Sequence, residues 1–160
     1  MKIVANIALS LAIALISLAP VHARQPDGPI TLNGDVKAVK VVINSDGKER
    51  SELVEPTAIV PGDRLVFGTD YANKSADTVT NFVVTNPLPA AVRLAPDADP
   101  TLEVSVDGGK AFGTLAALRI ANSDGTTRPA THADVTHVRW VLAAIPSGAA
   151  GRLTYPAIIR

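Results

Sequence analysis

The chain has 160 residues, no cysteine, and 15 basic side chains balanced by 15 acidic ones. Zero net charge leaves no field to gather nucleic acid or an anionic membrane surface, and the lack of cysteine excludes disulfides, thiolate nucleophiles and Cys-ligated zinc. The length suits one domain with a single hydrophobic core.

Residues 1–23 read as a signal peptide. Lys2 supplies a positive start, Ile3 to Leu18 is almost unbroken apolar sequence, and Val21-His22-Ala23 offers the modest side chains a signal peptidase reads. Cleavage is expected between Ala23 and Arg24. The apolar run is shorter than the roughly 20 residues a spanning helix needs. The sequence therefore predicts an exported protein, periplasmic or extracellular, with no transmembrane segment in the mature chain. Loss of Lys2 leaves the rest slightly acidic. Without disulfides the exported domain must be held by packing alone.

Residues 24–35, with Pro26, Gly28 and Pro29, read as a flexible lead-in to a domain spanning 36–160. Val36 to Asn44 is rich in β-branched residues and ends at the turn signal Ser45-Asp46-Gly47-Lys48. Glu49 to Glu55 returns as a polar edge strand whose charges guard against aggregation. Pro61-Gly62-Asp63 opens what reads as a central hairpin, Val60 to Leu94. In its first strand Leu65, Phe67, Thr69 and Tyr71 share one face by the period of two. After the polar turn Asn73 to Asp77, Val79 to Thr85 is apolar on both faces and reads as an inner strand. Pro87 and Pro89 lack N–H groups, so the chain leaves the sheet there.

Ala95 to Pro100 reads as a loop. Thr101 to Val106 alternates as a strand into the turn Asp107-Gly108-Gly109-Lys110. Phe112 to Ile120 reads as an irregular strand, with a short helix as the other option, and Asn122 to Thr127 as a turn, with Pro129 in the connection that follows. Two clear strands close the chain: His137 to Ala143, with Val138, Trp140 and Leu142 inward, and Arg152 to Ile159, with Leu153, Tyr155, Ala157 and Ile159 on one face. Seven or more short strands separated by Gly/Pro turns, with no long amphipathic helix, predict an all-β fold, a single antiparallel immunoglobulin-like β-sandwich. No internal repeat is visible.

Several of these segments carry a resemblance: Pro61-Gly62-Asp63 with the aromatic strand to Tyr71 and Asn73, Val83-Val84-Thr85-Asn86-Pro87-Leu88-Pro89, Ser105-Val106-Asp107-Gly108-Gly109, Val138-Arg139-Trp140, and Pro146 with Gly148. Their order and spacing, over about Val36 to Arg160, resemble the conserved repeat domain called domain of unknown function eleven. Asn86 and Pro87 stand where that family usually carries an aspartate before its leucine-proline. The resemblance implies an immunoglobulin-like sandwich of the kind used as modules in bacterial surface and envelope proteins, without an established catalytic activity. It carries fold more safely than function.

Candidate chemistry is sparse. An extended strand over residues 132–137 would put His132 and His137 on opposite faces, unable to share one metal. Asp97, Asp99 and Asp107 lack the spacing of a calcium loop and read as turn carboxylates. Ser147, between Pro146 and Gly148, lacks the strained-elbow motif of a hydrolase and reads as a turn residue. Glutamate is scarce outside the Glu49 to Glu55 edge, which gives glycoside hydrolysis little to work with. Trp140 alternates with apolar neighbours and reads as core rather than a sugar platform. Asn73-Lys74-Ser75 matches a glycosylation sequon, and its asparagine reads as a turn residue.

The sequence thus predicts no enzyme, with catalytic, cofactor-binding and metal residues all set at none. Its reading is a non-enzymatic secreted or cell-envelope structural or interaction module that binds a protein or envelope component. The alternative is a small glycan- or calcium-binding β-sandwich.

Overall fold

The structure, a computed structural model, describes residues 28–160. The leader expected over 1–23 and its cleavage site lie outside the described residues. In chain order the strands are β1 (Ile30–Ile43), β2 (Glu49–Val54), β3 (Arg64–Asn73), β4 (Val79–Pro87), β5 (Val92–Leu94), β6 (Glu103–Ser105), β7 (Gly113–Thr114), β8 (Arg119–Ala121), β9 (Thr127–Pro129), β10 (His137–Ile145) and β11 (Ala150–Ile159). They form an antiparallel β-sandwich. One sheet runs β2-β1-β3-β11-β5 and the other β4-β10-β6-β7, with β8 and β9 as a separate hairpin.

The first strand begins earlier than the sequence suggests. Residues 30–35, expected in a flexible lead-in, are strand, because Ile30 to Ala38 pairs continuously with Leu65 to Asn73 and buries Ile30. The breaker residues Pro26, Gly28 and Pro29 all precede that pairing. Beyond Ala38, β1 leaves β3 and pairs only with β2, as far as Ile43 opposite Glu49. The turn between them forms as expected, with Gly47 at a φ of 73° and the Asn44 carboxamide oxygen accepting from the backbone N–H groups of Asp46 and Lys48. Pro61-Gly62-Asp63 is also a turn, closed by Asp63 N–H donating to the Val60 carbonyl and by Gly62 at a φ of 96°.

The central hairpin is not a hairpin. β3 lies in the five-stranded sheet and β4 in the four-stranded one, so residues 74–78 carry the chain across the sandwich. The reason is Asn73, only 1% exposed. Its side-chain nitrogen donates to the carbonyls of Asp77, Ile145 and Pro146, and its side-chain oxygen accepts from the N–H and hydroxyl of Ser75. A flat two-strand turn offers no such set of carbonyls. Ile145 and Pro146 belong to the second crossing, β10 to β11, which Asn73 also meets through its backbone at Ala149 and Gly148. The two crossings thus lie side by side, pinned by one buried amide whose donors and acceptor are all used.

β4 differs from expectation in position as well. It was expected to be an inner strand, but it forms an edge of its sheet with β10 as its one partner, and Val83 is 50% exposed on the outer face. Apolar residues on both faces reported β-propensity rather than double burial. The inward alternation of β10 passes from Val138, Trp140 and Leu142 to Ile145, a change of parity. Opposite that change sits Asn81 at a φ of 53°, a left-handed conformation asparagine tolerates better than most residues.

The segment 112–120 is neither one strand nor one helix: β7, a 3-10 turn over Leu115–Ala117 and β8 divide it. The turn expected at 122–127 connects β8 to β9, a strand that Pro129 obscured; proline is tolerated there because the two-stranded ribbon has free edges. Between the sheets Leu65, Val92, Leu94, Val104, Val138, Tyr155 and Ala157 form the core, with Phe67 and Trp140 packed against it. Tyr155 stacks on Phe67 at 5.0 Å between ring centroids and meets Trp140 at 6.1 Å. Burying rings of this size dominates the stability of a small core.

Candidate functional site

The two sheets do not cover each other. Asn86 of β4 donates to the Thr69 hydroxyl of β3 at 2.7 Å, and Trp140 of β10 meets Tyr155 of β11, which sets β4 opposite β3 and β10 opposite β11. Little of the four-stranded sheet is then left to face β1 between Ile30 and Ala38, the two residues of its inner face that are buried. Consequently Leu32, on the inner face of β1, is 49% exposed. An open cavity of about 460 Å³ follows, floored by Leu32, Gly34, Val36 and Phe67, walled by Asn86, Pro87 and Pro89, and backed by Tyr155. Burial pushes the Tyr155 phenol up to about 12. The volume falls in the range of about 300–1,000 Å³ usual for binding cavities, and the lining is mostly apolar.

On the opposite, outer face of the same sheet lies a polar clasp. Arg152 lies across Gly68, whose missing side chain leaves room for the guanidinium, and donates to Asp70 at 2.8 Å and to Asp35. These bonds, led by Asp70, raise the Arg152 pKa above its ordinary value. The three side chains clasp β1, β3 and β11 together on the outer face.

The residues singled out by sequence are dispersed and mostly engaged in structure. Asp97 accepts a two-pronged pair from Arg64, both bonds 2.7 Å, which holds its carboxyl below the usual carboxylate range. Asp99 is likewise held down by the hydroxyl and then the backbone N–H of Thr101. Asp107 is held down first by the Ala111 N–H, then by the Ser105 hydroxyl, and also accepts from Lys110 N–H. Asp99 and Asp107 thus take the turn roles expected of them, whereas Asp97 is held by a long-range ion pair instead. Among the described residues no three histidine or acidic side chains converge as metal ligands.

His132 and His137 do not lie on one strand, as the expected opposite-face geometry required. Thr131 to Val135 is a turn, in which the Asp134 carboxylate accepts from Thr131 and from Arg128, and β10 starts only at His137. His132 lines a second cavity, of about 450 Å³, with Leu94, Pro96, Leu102 and Leu115, whereas His137 lies against Gly109. Ser147 is a turn residue, and its hydroxyl donates across to the Ser75 carbonyl. Trp140 is half-buried: part of it lines a recess of about 360 Å³ with Asp99, Glu103 and Arg139. The Asn73 sequon is unusable in the folded chain, because its amide nitrogen is buried and already donates to three carbonyls.

Sequence reading missed the open flank altogether. A local signal existed in β4, nine residues without a charge, but only the order of strands shows that this segment is an edge. Among the described residues no helix is long and apolar enough to cross a membrane. Comparison with protein-family models, with curated proteins and with solved structures finds no match to this chain.

Proposed function

We propose that the chain is a non-enzymatic structural or interaction module, exported by its leader to the periplasm, cell surface or exterior, and that it works by binding a protein or envelope component. One observation carries this reading: the middle of the inner face of β1, around Leu32, is left open beside an edge strand, so apolar surface there faces outward. The polar residues support it, since the aspartates and Ser147 are engaged in turn and ion-pair bonds. The resemblance to the bacterial surface-module family gains no support from the family comparison; the reading rests on the residues themselves.

A photo-cross-linking residue placed at Leu32 in cells of the native host tests it. One discrete protein adduct is expected there and none from Asp124, in the distant β8–β9 turn. Equal, smeared labelling from both positions would count against the reading.

A glycan-binding alternative draws on the recess beside Trp140, where Asp99, Glu103 and Arg139 supply polar groups around part of an indole. Oligosaccharide titration followed by tryptophan fluorescence tests it, and a saturable change would favour it. For calcium, a site filled at 100 times its dissociation constant adds about 2.7 kcal/mol. We expect equal melting temperatures in chelator and in millimolar calcium.

A further inference from the structure

We propose that β4 and the cavity beside it form a site for strand addition, taking a single extended, uncharged segment of a partner protein. The proposal rests on the interaction reading above and names the kind of partner. Among the described residues β4 has a neighbour on one side only, along its whole length from Val79 to Pro87. Free edges of this kind are templates for pairing, and folded proteins usually blunt them with charge, proline or brevity. The other terminal strands of the two main sheets are blunted: β5 and β7 have three and two residues, and β2 carries Glu49, Arg50 and Glu52. In β4 the one proline is Pro87, at its end, and there is no charge.

A strand added to β4 would lie about 4.8 Å from it, over the open middle of the inner face of β1 at Leu32 and Gly34. Its alternate side chains would point into the cavity over Leu32, Gly34, Val36 and Phe67. Paired main chain would give affinity, and the cavity would select the alternate residues. The one acidic residue bordering the cavity, Asp35, turns its carboxylate to the outer face, where it is bonded to Arg152. A segment that matches this surface is therefore uncharged and apolar at every second position.

A folded second copy does not fit. Two antiparallel β4 strands would be related by an axis normal to their shared sheet, which puts both five-stranded sheets on the same side. With β4 opposite β3, the copy's β3 would then fall one strand spacing over, where β1 already lies. The overhang of β1 and β2 admits a lone strand and excludes a sandwich.

The probe is a synthetic nine-residue peptide with the sequence of Val79–Pro87, added to the mature chain and followed by titration and hydrogen–deuterium exchange. Saturable binding is expected, with slowed exchange in β4. Gly34→Phe should weaken it by about tenfold or more by filling the cavity, since a Cβ at Gly34 meets only the Gly68 carbonyl, at 3.8 Å, and the position borders the open space. Leu32→Arg is the second variant, at a half-exposed position, and melting curves show whether each variant is folded. A peptide with lysine in place of Phe82 and Val84 should not bind. Absence of saturation by about 1 mM, slowed exchange in β2 instead of β4, or binding indifferent to both variants would overturn the proposal. So would a dimer of the whole chain that Gly34→Phe abolishes. Peptide failure together with a discrete adduct at Leu32 would sink strand addition alone, whereas peptide binding with no adduct in cells would sink the interaction reading.

Discussion

The strands β3 and β4 are treated in opposite ways at their two ends. Where they join, the sandwich is closed by the Asn73 side chain, which satisfies three carbonyls from two crossings. Farther along, toward Asn86, the same pair borders an open cavity with half-exposed Leu32 on its floor. One end places its polar groups inside, fully bonded; the other leaves apolar groups outside, uncovered. The comparison teaches that a sandwich without disulfides can afford an open flank when its chain crossings are locked, because the lock holds both sheets in register without needing cover at β1.

The largest expected effect is at the residue that backs the open flank and anchors the core. Tyr155→Ala removes a ring stacked on Phe67 and should cost about 3–5 kcal/mol in denaturant unfolding, a large part of a domain's usual total of about 5–15 kcal/mol. Asn73→Ala comes next, at about 3 kcal/mol, because the Ile145 and Pro146 carbonyls lose their donor inside the protein. A cost under 1 kcal/mol would show that the crossings are not locked by this amide. Trp140→Ala should cost about 2 kcal/mol, below the range for emptying a fully buried aromatic site, because the indole is only half-buried.

The pH dependence comes from two groups of opposite sign. The Tyr155 pKa is raised to about 12 against about 10 unfolded. The folded state thus keeps the proton longer, and stability is full below pH 10 and falls as pH rises from there toward 12. Tyr155→Phe should remove that fall. At the acid end, hydrogen bonds from Arg128 and then from Thr131 hold the Asp134 carboxyl well below the usual range. That stability is present above the ordinary carboxylate value and is lost as pH falls through the lower folded value, and Asp134→Asn should flatten the acid limb. Leu32→Ser is the smallest effect, within about 0.5 kcal/mol, as at a surface position. A larger cost would mean that the flank is closed in solution.

Much of the fold was legible because it is local. Alternation placed Leu65, Val138, Tyr155 and Ala157 inward, and all four are buried; turn chemistry placed Pro61-Gly62-Asp63 and the Asn44 to Lys48 turn correctly. The site was not legible. Leu32 stood in a stretch read as a flexible lead-in, and Val79 to Thr85 read as an inner strand because apolar residues on both faces look the same at an edge.

By itself the sequence determined where most of the longer strands extend and which face of most of them is apolar, since both follow from backbone sterics and a period of two along a single strand. It determined too that no net field and no thiol chemistry are available. Only the tertiary structure decided which sheet each strand joins. Whether β3 turns back beside β4 or crosses over it depends on carbonyls that Ile145 and Pro146 bring from 72 and 73 residues downstream, and the opening over the middle of β1 follows from that crossing, because a strand's pattern records that one side wants cover but not what lies there.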